Sequence, residues 1–276
     1  MGRRKLSVGY IPIPSPSASV SGLEMNMINS FKRYSRQWPG FLMSAALDLI
    51  YPRQCSSCGN KVVQSGSHLC WDCLAKAEFI SDPYCSLCGD PVDGAVHHKY
   101  ICGWCLETKP AFTNARSAVR FRGSIKSALL TFKYRHSPFL GRDLGSLLTA
   151  CCNVHYHDVN FDCVTCVPLY SAKMRHRSYN QAGVLAKCFS AETSIPFEPR
   201  CLIRVRHTQT QTKLNARQRK VNVHNAFEVR MPNWIKGRRI LLVDDVMTTG
   251  ATVNECAVVL MKAGALSVHV LTVARG

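Results

Sequence analysis

Residues 240–252 read ILLVDDVMTTGAT, and the fold is decided there. Residues 240–243 are a branched, apolar run of the composition found in strands buried on both faces of a parallel sheet. Asp244 and Asp245 follow, where such a strand leaves the sheet. Residues 246–252 then bring threonines and one glycine, and an apolar-periodic helix begins. Ligands of open α/β sheets bind at the carboxyl ends of strands, so two acids in that place are set to meet one. A glycine-containing turn that opens a helix presents backbone N–H groups, which hold phosphate. Thr248, Thr249 and Thr252 add hydroxyl donors. Carboxylates repel phosphate but accept hydrogen bonds from sugar hydroxyls. Acids and a phosphate loop a few residues apart therefore fit one ligand that carries both groups, a ribose 5-phosphate. An acid-capped strand before an ordinary helix is the plainer alternative, but it leaves the order of strand, acids, TTGAT and helix unexplained.

The surrounding chain continues the α/β pattern. Downstream, Val253, Cys256, Ala257, Leu260 and Met261 form the buried stripe of a helix, Gly264 stops it, and residues 266–273 make a last strand. Upstream, residues 117–121 read as a strand, 125–134 and 139–152 as helices, and 163–167 as a second buried strand. The cysteines of that strand, with Cys151 and Cys152, read as small apolar core residues. Pro168 ends the strand, and Lys173, Arg175, His176 and Arg177 crowd into a second ligand-facing loop before a helix from about Asn180. Cations in such a loop suit a pyrophosphate. Residues 204–222 hold Arg204, Arg206, Lys213, Arg217, Arg219 and Lys220 with no acid and no aromatic. Such a stretch serves either as a lid over an anion or as a contact for single-stranded DNA.

A different chemistry occupies residues 55–110. Four pairs, Cys55-x-x-Cys58, Cys70-x-x-Cys73, Cys85-x-x-Cys88 and Cys102-x-x-Cys105, carry eight of the fifteen cysteines. Two such pairs supply a closed tetrahedral zinc site, so four imply two structural zincs. Sequential ligation is expected, the first two pairs on one ion and the last two on the other. His68, His97 and His98 read as surface histidines, since the thiolates already complete both sites. A site closed by four thiolates has no open position for a reacting water, so the expected role is docking or stabilisation.

The 276 residues carry a formal net charge of +18, unevenly spread. Residues 1–54 have seven basic and two acidic side chains, 55–110 four and six, and 111–276 twenty-four and nine. A polyanion should therefore meet the C-terminal part first, and the slightly acidic cysteine module is a poor DNA grip. Residues 1–24 are rich in Ser, Pro and Gly and are expected to be disordered. Residues 41–50, FLMSAALDLI, read as a short amphipathic helix that Pro52 ends. No run is long enough to span a membrane. Arg3, Arg4 and Lys5 precede Ser and Pro rather than an apolar core, which does not make a secretory signal. With the thiol-rich pairs, this points to the cytoplasm. The expected division is an extension (1–40), the short helix (41–54), a double zinc ribbon (55–110) and an α/β domain (111–276).

Residues 242–252, LVDDVMTTGAT, resemble the binding signature of type I phosphoribosyltransferases, which bind phosphoribosyl pyrophosphate (PRPP) with Mg²⁺. The resemblance implies a parallel sheet flanked by helices. It makes Asp244 and Asp245 the ribose acids and the catalytic pair. Met247, Thr248, Thr249, Gly250, Ala251 and Thr252 become the 5-phosphate loop. Lys173, Arg175, Arg177, Gln181 and Arg219 become the pyrophosphate side. From about Leu42 onward the chain is also similar to the ComF/GntX family of competence-associated, phosphoribosyltransferase-like proteins. The similarity rests on YPRQC (51–55), the four cysteine pairs, FKY (132–134), VPL (167–169) and R-x-R-x-YNQA (175–182). It continues through T-x-x-Q-x-x-L (208–214), R-x-x-N (219–222) and AF (226–227), with Tyr179 in place of the more usual Phe. It implies a cytoplasmic protein that helps internalise single-stranded DNA in natural transformation, with a helicase-type partner in some bacteria.

Three functions stay open at this level. An enzyme would transfer the phosphoribosyl group to an unidentified acceptor; a threonine, Thr248, stands where similar oxopurine salvage enzymes carry an acidic base, which argues against purine salvage. A sensor would bind PRPP or a nucleotide without turnover. An adaptor would hold single-stranded DNA on its basic face and a protein through its zinc module.

Overall fold

The computed structural model describes residues 53–64, 66–94, 99–206 and 222–276. The N-terminal extension, the helix expected at 41–50, His97 and His98, and residues 207–221 with Arg219 lie outside the described residues, as do the side chains of Lys173 and His176.

Two short helices, α1 (Trp71–Ala75) and α2 (Gly103–Thr108), each begin just after the first cysteine of a pair. The α/β part starts with β1 (Asn114–Arg120), α3 (Gly123–Tyr134) and α4 (Leu140–His155). Then come β2 (Cys163–Cys166), α5 (Ser171–Arg177) and α6 (Gln181–Thr193). A small antiparallel pair, β3 (Leu202–Arg204) with β4 (Phe227–Val229), and the single turn α7 (Pro232–Ile235) precede β5 (Arg239–Met247). The chain closes with α8 (Ala251–Lys262) and β6 (Ser267–Arg275).

The main sheet is parallel throughout, in the order β1-β6-β5-β2. Each of its two central strands carries a buried apolar stretch: Ile240, Leu241, Leu242 and Val243 on β5 and Val268, Val270, Leu271 and Val273 on β6 are fully buried. That is what a strand needs when helices cover both faces. Helix α4 lies against β1 and β6, α6 against β2 and β5, and α8 against β5 and β6. The free edge of β1 is covered from the ribbon side, where Ile80 N donates to Ala118 O (3.1 Å) and Arg120 N to Glu78 O (2.8 Å). Covering an edge in this way removes a template for unwanted strand pairing.

Two expectations are corrected, and one is met. Strand β5 does not end at Val243 but runs through both aspartates to Met247, because β6 continues beside it with Asp244↔Thr272, Val246↔Ala274 and Met247↔Arg275. Strand β2 stops opposite Val243, so from Asp244 onward β5 is open on that flank only. The basic stretch at 171–177 is a helix rather than a loop; SAKMRHR contains neither Gly nor Pro and several good helix formers. Cys163 and Cys166 share the C-x-x-C spacing of the metal pairs, yet residues three apart on a strand face opposite sides and cannot chelate one ion together.

Candidate functional site

The two described cysteine groups are sequential: Cys55, Cys58, Cys70 and Cys73 form one, and Cys85, Cys88, Cys102 and Cys105 the other. Four sulfurs held at about 2.3 Å from a zinc ion stand about 3.8 Å apart. The sulfurs of Cys58 and Cys70 are 3.6 Å apart, of Cys88 and Cys102 3.6 Å, and of Cys85 and Cys105 3.7 Å. Backbone N–H groups already point at the sulfurs, Cys70 N at Cys55 Sγ and Cys102 N at Cys85 Sγ, each 3.4 Å away. All-thiolate donors at this spacing fit two structural zinc ions. His68 takes no place among the sulfurs; its ring lies 4.2 Å from that of Phe139, and its backbone N–H donates to Asp143 Oδ2 at 2.7 Å.

The second site is a cavity of about 270 Å³ at the carboxyl end of β5. Its floor is Asp244, Asp245 and the turn from Met247 to Thr252. Gly250 ends the turn at φ 77°, a conformation that favours glycine, and the first residues of α8, Ala251, Thr252 and Val253, line the cavity. The opposite wall holds Phe121, Leu130, Lys133 and Tyr134 from the α3 region, and the third wall Arg177, Asn180, Gln181 and Arg204.

Each acid is oriented by the backbone after it. Asp244 Oδ1 accepts from Asp245 N at 2.9 Å, and Asp245 Oδ1 accepts from Val246 N at 2.6 Å. Lys133 Nζ lies 3.1 Å from Asp245 Oδ1, with both side chains largely buried. Burial and the neighbouring Asp245 charge push the Asp244 carboxyl up to about 7, while Lys133 and Arg204 pull the other way. The floor is thus an acid pair with an incomplete countercharge, which favours donors such as sugar hydroxyls.

Of the residues singled out from sequence, Asp244, Asp245, Met247, Thr248, Thr249, Gly250, Ala251, Thr252, Arg177 and Gln181 all line this one cavity. Arg177 Nη1 donates to Gln181 Oε1 at 3.2 Å, and its guanidinium sits 5.2 Å over the Tyr134 ring. Arg175 is exposed and does not line it. FKY (132–134) belongs to the family pattern, but nothing in the sequence ties Lys133 to the acids. The tie is tertiary: the Tyr179 hydroxyl donates to the Phe132 carbonyl and so fastens the YNQA segment to the turn that carries Lys133. Arg204, which opens the basic stretch expected to act as a lid or a DNA contact, lies on β3 beside the acids with its guanidinium 5.1 Å over the Phe227 ring. Among the described residues no helix is long and apolar enough to cross a membrane.

Residues 46–106 match the double zinc ribbon domain family, and residues 179–276 the phosphoribosyl transferase domain family. The chain is 31% identical over 226 residues to competence protein F of Haemophilus influenzae, a match covering 80% of this chain and 96% of that one. It is 30% identical over 230 residues to the DNA utilization protein YhgH of Salmonella typhimurium, covering 82% and 99%. It is 28% identical over 214 residues to competence protein ComFC of Bacillus subtilis, covering 75% and 84%. With the two cysteine clusters, the parallel sheet and near full-length similarity to competence protein F, the chain belongs to the ComF/GntX family of competence-associated, phosphoribosyltransferase-like proteins.

Proposed function

We propose that the chain binds PRPP with Mg²⁺ in this cavity and serves in the handling of single-stranded DNA. One observation carries the ligand reading: an acid pair, a glycine-and-threonine turn at a helix start, and cationic side chains all line a single cavity. The turn from Met247 to Thr252 takes the 5-phosphate on its N–H and hydroxyl donors. Asp244 and Asp245 accept from the ribose hydroxyls. Arg177, Arg204 and Lys133 face the pyrophosphate. Two carboxylates offer the hard oxygen donors that suit a magnesium ion sharing its shell with ligand phosphates. When bound, that ion neutralises pyrophosphate charge. The DNA part draws on the names of the relatives, competence protein and DNA utilization protein, and on the strongly basic C-terminal part.

Calorimetric titration of zinc-loaded protein with PRPP and Mg²⁺ tests the ligand. Saturable binding is expected, and Asp244→Asn/Asp245→Asn should abolish it. Wild-type protein that takes up no PRPP overturns the assignment. Pyrophosphate release in the presence of a candidate acceptor then separates transfer from sensing.

A further inference from the structure

The two cysteine clusters are fastened to different parts of the molecule. The first is held by α3 and α4: Ser67 Oγ donates to Asp143 Oδ1 (2.8 Å), Ser124 Oγ to Cys73 O (2.6 Å) and Thr131 Oγ1 to Ser56 O (3.3 Å). The second is held by α8, which the phosphate turn opens into, and by β1. Ala111 N, just beyond α2, donates to Asn254 Oδ1 in the first turn of α8 at 2.8 Å. Leu87 O accepts from Ala115 N at 2.7 Å. A Cβ added to Gly89 would stand 2.6 Å from Ala115 O, so this knuckle sits directly on the backbone of β1.

Two side chains extend the connection into the turn itself. Trp104 lies between the ligands Cys102 and Cys105. A Cβ on Gly250 would stand 3.2 Å from Trp104 Cη2 and 2.7 Å from Met247 Cε, so the indole packs against the back of the phosphate turn. Arg275 is 7% exposed. Its Nη1 donates to Met247 O (3.2 Å), its Nε pairs with Asp90 Oδ1 (3.1 Å), and its Nη2 approaches Cys88 Sγ at 3.9 Å. One guanidinium therefore spans a zinc-ligand sulfur, the knuckle that carries it and the first residue of the turn. An anion site made of backbone N–H groups works only if the turn is held still, and its positions must be kept within a fraction of an ångström.

We infer that the second zinc ribbon is one wall of the phosphate turn, and that Trp104 and Arg275 are positioning residues for the ligand's 5-phosphate. This rests on the PRPP reading of the cavity. The ribbon contributes no atom to the ligand. It fixes the backbone that does, and couples metal occupancy at Cys85, Cys88, Cys102 and Cys105 to phosphate affinity.

The test uses full-length, zinc-loaded protein, with ribose 5-phosphate and inorganic pyrophosphate as separate probes. Trp104→Ala should weaken ribose 5-phosphate by about tenfold or more, leave pyrophosphate affinity within about twofold, and keep two zincs per chain. Trp104→Phe, which keeps an aromatic ring against Gly250, should restore most of the loss. Loss of both probes in equal measure, or unchanged ribose 5-phosphate binding by Trp104→Ala, overturns the inference. Wild-type protein that binds neither probe overturns the PRPP reading and this inference with it. If Trp104→Ala loses zinc, indole fluorescence decides. A change on adding ribose 5-phosphate to wild type that Trp104→Phe lacks supports the inference, and identical responses overturn it.

Discussion

At the scale of the residue, the cavity is built at some cost to stability. Asp244 ionises near 7 because it is desolvated and stands beside Asp245. An unfolded aspartate ionises near pH 4. Between those values the folded state keeps a proton that the unfolded state has released. Stability therefore falls as pH rises across that window, and stays at the lower level above it. Asparagine cannot ionise, so Asp244→Asn should melt above wild type, by a margin that grows from about pH 5 to about pH 8. Melting curves at the two pH values check this, and a margin that shrinks would mean that Asp244 is not the strained group. Lys133 has the opposite role. Removing it leaves the Asp245 carboxylate buried without its cation, so Lys133→Met should destabilise the fold by on the order of 3 kcal/mol at neutral pH. Urea unfolding measures it, and unchanged stability would show the pair to be screened by water. From sequence alone the aspartates were legible, since their place after an apolar run is a local pattern. Lys133 was not, because it sits 112 positions from Asp245 and only the tertiary structure brings the two together.

At the scale of the element, spacing was informative wherever the element supplied its own geometry. The ribbon pairs are such a case: each ligand pair sits on one knuckle, and both groups close sequentially as their order implies. Each group should therefore lose its ion independently. Cys58→Ser and Cys88→Ser should each lower the zinc content from two ions per chain to one, with a lower melting temperature, because metal affinity in so small a module is folding free energy. Elemental analysis of purified protein reads the stoichiometry; a chain that keeps two ions after either change would exclude that cysteine as a ligand. Elsewhere spacing alone does not decide. Cys163 and Cys166 share the ribbon spacing but lie on a strand as buried core residues, in keeping with the apolar run around them. The stretch at 171–177 has the charge expected of a ligand-facing loop, yet its composition favours the helix that forms. The β3–β4 pair was missed because its strands have three residues each, too few to show a period, and are joined only by tertiary pairing.

At the scale of the whole molecule, the charge is the widest-reaching property. The basic excess lies in residues 111–276, so single-stranded DNA should bind there with an affinity set mainly by counterion release. Fluorescence anisotropy with a labelled oligonucleotide should give a log–log salt slope of about −0.7 for each phosphate neutralised. Affinity that is insensitive to salt would remove the DNA part of the proposed function.

The sequence by itself determined the parallel α/β architecture, the two four-cysteine groups and the acid–turn–helix order of residues 244–252. Each is written in neighbours a few positions apart, where apolar period, ligand spacing and turn chemistry act locally. Only the tertiary structure decided which cations meet the acids, that β5 runs on past them while β2 stops, and that the second ribbon backs the phosphate turn through Trp104 and Arg275. Those relations join residues from 28 to 187 positions apart, and no local period records which buried surfaces will pack against one another.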